Sequence, residues 1–505
     1  MSDGNGPLPG PDLARGVPLA SIPDDGVLAG RVGDDAVLLV RLDDGVHAVG
    51  AHCTHYGAPL AEGRIADGSV HCPWHHACFD LRTGAADCAP AFAPLGRWRT
   101  EVVDGSVFVR ERLPGPPAAT VHHGAGKPRR VVIVGGGAAG HAAARRLRDR
   151  GFDGSVTMLS ADADVPVDRP NLSKDFLAGT APPEWLPLQD AAAYVDQGID
   201  LRLDCEVAAL DPQARRVTTA TGERFDYDAL LLATGAEPRQ LGLPGFDLAH
   251  VFSLRTLADA QRIVAAAAGA RSVAFVGAGF IGLEAAAALR SRGLAVSVVA
   301  PEAVPMARIL GEQLGEFLAN LHREHGISFH LGRKPARLDG HALVLDDGSL
   351  VEADLVIVGA GVVPRTQLAE AAGMAVDNGI LVDATLQTSI PGHYAAGDVA
   401  RYPHGGAHAR VEHWVHAQRQ GQCVADNLLG DTREFSDVPF FWTHQYELEL
   451  RASGHLSGWD AVHIDGDLAA GDFMARYDRG GKAIAAVTAG RDQALLEFEQ
   501  ALHAP

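Results

Sequence analysis

The chain has 505 residues, and a usual length of about 150 residues per domain predicts three or four domains rather than one core. Apolar residues make up 47% of the sequence, which is enough for buried cores and argues against global disorder. The formal net charge of −20 argues against sequence-independent binding to nucleic acid or to an anionic membrane surface.

The N-terminal part of the chain has the pattern of short strands joined by tight turns. Two apolar runs, 37–42 and 46–49, flank the turn pair Asp44-Gly45, which predicts a β-hairpin. Residues 102–110, with a central Asp-Gly pair, predict another hairpin. This part of the chain is therefore predicted to be all-β.

Further along, the pattern changes to buried strands followed by helices. An apolar strand over 130–134 precedes a helix over 141–150. The same succession returns with a strand over 272–276 and a helix over 283–292. Two βαβ units at this separation predict two doubly wound domains of similar topology. Alternating strands and a closing helix over 494–502 then predict a smaller α+β unit.

The predicted fold is multidomain, with an all-β domain, two α/β doubly wound dinucleotide-binding domains and a C-terminal α+β domain. We predict the β domain over 1–113, a Pro- and Gly-rich linker over 114–128, the two parts of the first dinucleotide-binding domain over 129–250 and 376–433, the second over 251–375, and the C-terminal domain over 434–505.

The chain carries no pattern for export or for spanning a membrane. No apolar run reaches the ~18 residues of a spanning helix, and residues 1–16 lack a basic region followed by an apolar one. Only six cysteines occur, and two of them belong to the motif described next. We therefore expect a reduced protein of the cytoplasm.

The strongest chemical pattern pairs cysteine with histidine twice. Cys53 and His55 form one box, and Cys72 and His75 form the other. Such a set could hold a tetrahedral Zn²⁺, or a [2Fe–2S] cluster with two thiolates on one iron and two imidazoles on the other. The C-x-H and C-x-x-H spacings favour the cluster, because each places a cysteine and a histidine on one tight loop.

On these boxes, residues 15–112 resemble the Rieske family. High-potential members of that family carry a disulfide between the two loops, and Ala58 and Trp74 stand at the matching positions here. The resemblance therefore implies a ferredoxin-like, lower-potential type without that disulfide.

The remaining cysteines and nearby histidines are interpreted as structural. Cys78 and Cys88 are expected to be packing residues rather than ligands, as are Cys205 in a predicted strand and Cys423 in a predicted helix. The histidines that flank the boxes, at positions 52, 71 and 76, are expected to be loop residues and not ligands.

A first dinucleotide-binding motif follows the strand over 130–134. Gly135, Gly137 and Gly140 form a G-x-G-x-x-G pattern that opens a helix. Glycines here allow a tight turn and a close approach of the backbone to a pyrophosphate at the helix N-terminus. Asp162 is the candidate acid for the ribose, with Asp164 two residues later as the alternative.

Two further segments assign this first site to FAD. Gly397-Asp398 has the pattern that two-dinucleotide flavoproteins place on the ribityl chain. Ala233, Thr234 and Gly235 form the matching crossover between the nucleotide domains.

The second motif consists of Gly277, Gly279 and Gly282. It lies within the sequence span of the first domain, where two-dinucleotide flavoproteins insert their NAD(P)H domain. A carboxylate after the second strand accepts hydrogen bonds from a ribose 2′-OH and repels a 2′-phosphate. Ala300 stands at the usual position of this acid, and Glu302, two residues later, is the candidate. Arg308 could reach a phosphate, so NADH is favoured over NADPH without excluding the latter.

From residue 129 onward the chain resembles the ferredoxin-reductase branch of FAD/NAD(P)H oxidoreductases, and as a whole it resembles Rieske-containing, apoptosis-inducing-factor-like proteins. The stretches that carry this likeness are Asp168-Arg-Pro-Asn-Leu-Ser-Lys174, Leu243-Pro-Gly, Gly361-Val-Val-Pro364, Arg410-Val-Glu-His-Trp414 and Pro439-Phe-Phe-Trp442.

The resemblance implies roles for several residues around the flavin. Arg169 and Lys174 would lie along the FAD, with Glu284 paired to Lys174 beside the ring. A cation near the reduced flavin stabilises its negative charge, and a buried lysine needs a partner. An ordinary helix-surface position is the alternative for Glu284.

The same resemblance places Glu412, His413 and Trp442 near the flavin or the nicotinamide, and Gly361 in the cofactor-binding set. A plain core aromatic is an equal alternative for Trp442. The stretch after residue 171 lacks the C-x4-C pair of disulfide reductases, which argues against disulfide exchange.

The predicted function is electron transfer from NADH through FAD to the fused [2Fe–2S] cluster and on to a Rieske oxygenase, a ferredoxin or another acceptor. A redox sensor that responds to NADH, or a flavin reductase of a small molecule, is the alternative. A homodimer is a further expectation, and neither nucleic acid nor a membrane span is expected.

Overall fold

The computed structural model describes residues 10–24, 26–115 and 127–503. The chain forms two compact units. The first contains the described residues up to 115 together with residues 145–152 and the C-terminal residues from 491 onward. The second contains residues 127–144 and 153–490. Residues 116–126 of the predicted linker lie outside the described part of the chain.

The first unit is built on two antiparallel sheets, and both predicted hairpins are present in the larger one. Its six strands run in the order Val17–Pro18, Ser106–Leu113, Arg97–Val103, Gly45–Gly50, Asp35–Leu42 and Val27–Val32. The smaller sheet has the strands Arg64–Ala66, Ser69–His71, Cys78–Asp80 and Ala86–Cys88.

The strand Asp35–Leu42 separates two apolar cores because successive side chains of a strand point to opposite faces. Val37 and Leu39 pack into one core, while Leu38 and Val40 pack into the other. The second of these cores also contains Cys53 and Cys72. The run 37–40 is therefore apolar throughout, and one of its faces lies against the loops that carry the two cysteine–histidine boxes.

The second unit contains two five-stranded parallel sheets of similar construction. The first has the strand order Ile199–Arg202, Ser155–Leu159, Arg130–Val134, Ala229–Leu232 and His393–Ala395. The second has the order Val251–Phe252, Leu355–Val358, Ser272–Val276, Ala295–Ala300 and Ser328–Leu331. The last strand of the first sheet comes from beyond the whole of the second sheet, so the second is inserted into the sequence of the first.

A five-stranded antiparallel sheet ends the second unit, with the order Phe440–Gln445, Leu448–Gly454, Lys482–Ala489, Asp472–Arg479 and Ala461–Asp467. The remaining strands are Val207–Asp211, Arg216–Thr219, Arg224–Asp226, Ala236–Pro238, Pro335–Asp339, Ala342–Leu345, Leu350–Glu352, Val362–Pro364, Ile380–Leu381, Ala400–His404 and Ala407–Ala409.

The helices are Ala138–Asp149, Arg169–Leu172, Asp175–Ala178, Ala191–Asp196, Leu257–Ala267, Phe280–Ser291, Ala307–Leu310, Glu312–Glu324, Gln367–Ala371, Trp414–Leu428 and Asp492–His503. Short 3-10 turns lie at Leu13–Arg15, Leu19–Ser21, Leu60–Glu62 and Pro183–Trp185. Among the described residues, none of these helices combines the length and the apolar character needed to cross a membrane.

Candidate redox centres

The two predicted metal-binding boxes lie on loops that close in the same way. In the first loop the amide of Cys53 donates to the carbonyl of Ala58 at 2.9 Å, and in the second the amide of Cys72 donates to that of Ala77 at 2.8 Å. Both cysteines are buried, and the side chains of both loops meet in the interior of the first unit.

The four predicted ligands form two pairs, one of histidines and one of cysteines. The Nδ1 atoms of His55 and His75 lie 3.2 Å apart, and Cys53 and Cys72 are buried in the same apolar core. No group of three or more metal-ligating side chains among the described residues is arranged to hold a single ion. A pair of thiols beside a pair of imidazoles fits a two-iron cluster with one pair on each iron better than a tetrahedral zinc.

Ligation needs thiolates and neutral imidazoles, and His55 meets the second of these requirements. Burial lowers the pKa of His55 to about 4, so its ring is neutral at physiological pH. The interaction between the two thiols lowers the pKa of Cys53 and, with burial, raises that of Cys72, so Cys53 ionises first.

Cys78 and Cys88, expected to be packing residues rather than ligands, form a disulfide, so the expectation of a fully reduced protein is wrong. They lie directly opposite each other on neighbouring antiparallel strands, with Cα atoms 4.9 Å apart. Only the strand register brings them together, and the sequence did not reveal that register. Disulfides are rare in cytosolic proteins, so this bond weakens the argument from cysteine content for a cytoplasmic location. Cys205 also lies outside the predicted strand, in the segment between Ile199–Arg202 and Val207–Asp211.

The glycines of the first dinucleotide motif have distinct spatial roles. A Cβ at Gly135 would come within 2.1 Å of the carbonyl oxygen of Ala233, and one at Gly140 within 2.0 Å of the carbonyl oxygen of Gly135. A Cβ at Gly137 would meet nothing closer than the guanidinium of Arg169, at 3.7 Å. Two glycines therefore permit close backbone packing, and the middle one leaves room for a ligand.

Charged side chains from distant segments gather beside this motif. Arg169 pairs with Asp162 at 2.9 Å, and Arg255 pairs with Asp398 at 2.7 Å. Burial and the nearby charge of Arg255 lower the pKa of Arg169. Two confined guanidiniums form a suitable environment for an anion such as a pyrophosphate.

Arg255 was not predicted from the sequence. Its buried Nε has no hydrogen-bond partner among the described residues, and a Cβ at Gly235 would lie 3.4 Å from its Nη2. The crossover segment Ala233–Thr234–Gly235 thus lies beside it, with Thr234 donating to the carbonyl of Arg365 at 2.8 Å. The only hint in the sequence is its place just before Thr256, the N-cap of the helix Leu257–Ala267.

The second motif repeats the arrangement of the first. A Cβ at Gly277 would come within 2.3 Å of the carbonyl of Gly359, and one at Gly282 within 2.8 Å of the carbonyl of Gly277, while Gly279 faces open space.

Glu302, predicted for this second site, and Gly361, predicted for the cofactor-binding set as a whole, lie in loops that follow strands of its sheet. Glu302 is half-buried just after the strand Ala295–Ala300, and Gly361 has a left-handed φ of +85° with open space beside it. Arg308 is exposed on the short helix Ala307–Leu310.

Lys174, Glu284 and Trp442 lie together although they come from three separate segments. The Nζ of Lys174 lies 2.8 Å from a carboxylate oxygen of Glu284 and 5.9 Å from the centre of the Trp442 ring. Glu284 is only 4% exposed, so it is not an ordinary helix-surface residue. Its carboxylate also accepts hydrogen bonds from Ser173 at 2.5 Å and Thr443 at 2.7 Å, neither of which the sequence pointed to.

Glu412 and His413 connect the first site to this cluster. Arg410 pairs with Glu412 at 2.6 Å and donates to the carbonyl of Asp398 at 3.0 Å. His413 is the N-cap of the helix Trp414–Leu428 and stacks on Phe441, with ring centres 4.5 Å apart. The amide of Gly397 donates to Gln420 of the same helix at 2.7 Å.

These features define a flavin- and nicotinamide-dependent oxidoreductase joined to an iron–sulfur domain. Residues 17–100 match the Rieske [2Fe-2S] domain family, 129–421 match the pyridine nucleotide-disulphide oxidoreductase family, and 440–504 match the reductase C-terminal family. The chain belongs to the pyridine nucleotide-disulphide oxidoreductase family and carries an N-terminal Rieske domain. The predicted fold class, the enzyme class and the prediction of FAD, a nicotinamide dinucleotide and a [2Fe–2S] cluster are confirmed.

The relatives cover either nearly the whole chain or its reductase part. Apoptosis-inducing factor 3 of Homo sapiens is 35% identical over 94% of this chain and 81% of its own length. The anthranilate 1,2-dioxygenase system ferredoxin--NAD(+) reductase component of Burkholderia cepacia is 39% identical over 70% of this chain and 90% of its own. The covalent putidaredoxin reductase–putidaredoxin complex superposes with a TM-score of 0.72 at 33% identity, over 75% of this chain and 93% of that one.

Proposed function

We propose that this protein takes hydride equivalents from NADH and delivers single electrons through its Rieske domain to a separate redox protein. When bound, FAD supplies the ability to accept two electrons together and to release them singly, and a [2Fe–2S] cluster supplies a one-electron carrier. The residues of the chain bind these groups, orient them and set the charge around them.

The observation that carries the proposal is the buried pair of Lys174 and Glu284 beside Trp442. A buried cation stabilises negative charge on a reduced flavin, and a carboxylate partner balances the charge of the lysine in the interior. Three hydrogen-bond donors, from Lys174, Ser173 and Thr443, hold the carboxylate in place. We therefore assign Lys174, Glu284 and Trp442 to the flavin ring.

The first glycine motif is assigned to the FAD pyrophosphate, which Gly137 and the two guanidiniums of Arg169 and Arg255 would hold. Asp162 is engaged by Arg169 at 2.9 Å, and this contact keeps its carboxylate at the edge of a cleft that Gly136 also lines. Asp398, held by Arg255 at 2.7 Å, is assigned to the ribityl chain.

The second glycine motif is assigned to NADH rather than NADPH. Glu302 follows the strand Ala295–Ala300, where a carboxylate repels a 2′-phosphate. The exposed Arg308 is the residue through which NADPH could still bind.

The acceptor is proposed to be a ferredoxin or a Rieske oxygenase. The name of one relative joins it to a dioxygenase system, and one similar structure is a complex of a reductase with its protein partner. A cytoplasmic location, a homodimer and the domain boundaries stay predictions. Light scattering of the purified protein tests the dimer.

An anaerobic titration with NADH tests the function. Protein reconstituted with iron and sulfide is followed by absorbance for the flavin and by EPR for the cluster. Bleaching of the flavin with a rhombic Rieske signal growing in step supports the proposal. If the flavin bleaches while the cluster stays oxidised, electron transfer to the Rieske domain is refuted for the isolated chain, and a sensor or a small-molecule reductase is favoured.

A further inference from the structure

The two ligand loops of the first unit share one hydrogen-bond pattern. Each loop is closed by the amide of its cysteine and the carbonyl five residues later. Within each, the amide four residues after the cysteine donates back to the cysteine carbonyl, from Gly57 at 2.9 Å and from His76 at 3.2 Å. Gly57 and His76 therefore occupy the same position in the two loops.

Both positions require a left-handed backbone. The φ angle is +78° at Gly57 and +58° at His76. Glycine adopts this conformation freely, whereas the conformation is unfavourable for a residue with a Cβ. Space does not explain the difference, since a Cβ at Gly57 would meet nothing within 4 Å. The histidine in the second loop thus needs a compensating contact.

That contact is made by the C-terminal helix, Asp492–His503, which belongs to the same compact unit. The Nδ1 of His76 is hydrogen-bonded to a carboxylate oxygen of Glu499, 423 residues away in sequence. His76 is 1% exposed and Glu499 is 7% exposed, so the contact is shielded from solvent. A buried charge-assisted hydrogen bond is strong enough to offset the backbone strain.

The same helix also touches the strand Arg64–Ala66, whose antiparallel partner Ser69–His71 directly precedes this loop. Glu497 pairs with Arg64 at 3.5 Å, and Arg64 lies opposite His71, the residue before Cys72, in the antiparallel register. Unlike Glu499, Glu497 is exposed. It therefore offers a control carboxylate on the same helix, near the same sheet.

We propose that Glu499 is a positioning residue of the cluster site, acting through His76 to hold the loop that carries Cys72 and His75. This inference rests on the proposed ligand set. The neighbour of His75 is thereby fixed by a helix from the far end of the chain. Partners in the shell around the ligands often set how well a metal group is retained, with losses of 10–100-fold when they are removed.

The test compares four variants of the full-length protein after reconstitution: Glu499→Ala, Glu499→Gln, His76→Gly and Glu497→Ala. The first measurement is the rate at which an iron chelator strips the cluster. The second is the EPR spectrum after reduction with dithionite, which needs no NADH and no flavin. Flavin content and NADH-dependent bleaching report the integrity of the second unit.

We expect Glu499→Ala to lose iron on the order of tenfold faster and to shift or broaden the EPR signal. Glu499→Gln keeps an acceptor for His76 and should lie between Ala and wild type. His76→Gly removes the strain together with the contact, so it is informative even if Glu499→Ala folds poorly. It should also lose iron faster, although its backbone is better suited to the loop.

The proposal is overturned if His76→Gly retains iron as well as wild type, or if Glu499→Ala behaves like Glu497→Ala. The second result would mean that the helix supports the sheet in general, without a specific role for Glu499. If wild-type protein shows no Rieske signal after chemical reduction, the ligand set itself is wrong, and both this inference and the proposed function fail.

Discussion

Lys174 and Glu284 are 110 residues apart in sequence, yet their side chains meet at 2.8 Å in the interior of the second unit. Glu284 lies within the helix Phe280–Ser291, which begins at the second glycine motif, and Lys174 follows the short helix Arg169–Leu172. Thr443, from the C-terminal sheet, donates to the other carboxylate oxygen. One carboxylate thus ties together the segments that would bind FAD, bind NADH and cover the flavin.

Removing either charge of this pair should affect both stability and electron transfer. Glu284→Gln keeps a polar group near Ser173 and Thr443 but leaves the lysine as an unpaired buried cation. We expect a loss of about 3–5 kcal/mol in the free energy of unfolding, as for other broken buried pairs. Anaerobic stopped-flow mixing with NADH should show slower bleaching of the flavin, because the carboxylate no longer holds the lysine in the position assigned to the flavin ring.

The double variant Lys174→Met/Glu284→Gln separates the two effects. It removes both charges, so stability should recover toward wild type while flavin reduction stays slow. Asp339→Asn is the control, because it breaks an exposed pair with Arg337 and should change stability by less than about 1 kcal/mol. Recovery of the reduction rate in the double variant would contradict the role assigned to the lysine charge.

The middle glycines of the two motifs allow a test of which nucleotide each site binds. A Cβ at Gly137 or Gly279 meets no atom closer than 3.7 Å, so an alanine at either position should leave the fold intact. It should project into the space needed by a pyrophosphate. Gly137→Ala should therefore be purified with less FAD. Gly279→Ala should keep its FAD and show a KM for NADH raised on the order of tenfold, equivalent to ~1.4 kcal/mol of binding.

Flavin absorbance per chain and steady-state kinetics with ferricyanide as acceptor provide the two measurements. The opposite outcome, with flavin lost from Gly279→Ala and nicotinamide binding weakened in Gly137→Ala, would reverse the assignment of the sites. Gly135→Ala is a useful contrast. Its Cβ would come within 2.1 Å of a carbonyl oxygen, so we expect misfolding rather than selective loss of a ligand.

Much of the architecture was predictable because its determinants are local. A strand, a glycine turn and a helix are adjacent in sequence, so the motifs at Gly135 and Gly277 indicated both parallel sheets. The pairing of Lys174 with Glu284 was different. It came from resemblance to a family, and neither residue is distinctive in its own segment.

The features that were missed depend on contacts between distant segments. Arg255 reaches Asp398 across 143 residues, and Thr443 reaches Glu284 across 159. The disulfide of Cys78 and Cys88 depends on a strand register that neighbouring residues do not determine. Composition and periodicity carry no information on such pairs, because each residue fits the local pattern of its own helix, strand or loop whatever distant residue it contacts.

The assignment of the cluster ligands predicts a sharp contrast between cysteines. Cys53→Ser should abolish the rhombic EPR signal and lower the iron content below two per chain, because it removes one of the two thiolates assigned to the cluster. Cys53 and Cys72 lie in the same buried core. Cys423→Ser is the control, because Cys423 is buried in the helix Trp414–Leu428 and its thiol donates to a backbone carbonyl. It should keep iron and signal. Iron retained by Cys53→Ser at wild-type stoichiometry would rule out Cys53 as a ligand.

Buried histidines should make the second unit sensitive to acid. His322 is fully buried, hydrogen-bonded to Gln445 at 2.7 Å, and burial lowers its pKa to about 4. An unfolded chain takes up this proton near pH 6.5. Between pH 6.5 and 4 the unfolded state therefore binds more protons, and the free energy of unfolding falls as the pH falls.

His322→Gln keeps a hydrogen-bonding group without the titration. It should therefore lose less stability than wild type over this range, by on the order of a few kcal/mol at pH 4. Calorimetric unfolding at a series of pH values measures the difference, with the exposed His444→Gln as control. Parallel losses in wild type and His322→Gln would show that His322 takes up its proton in the folded state as readily as in the unfolded chain.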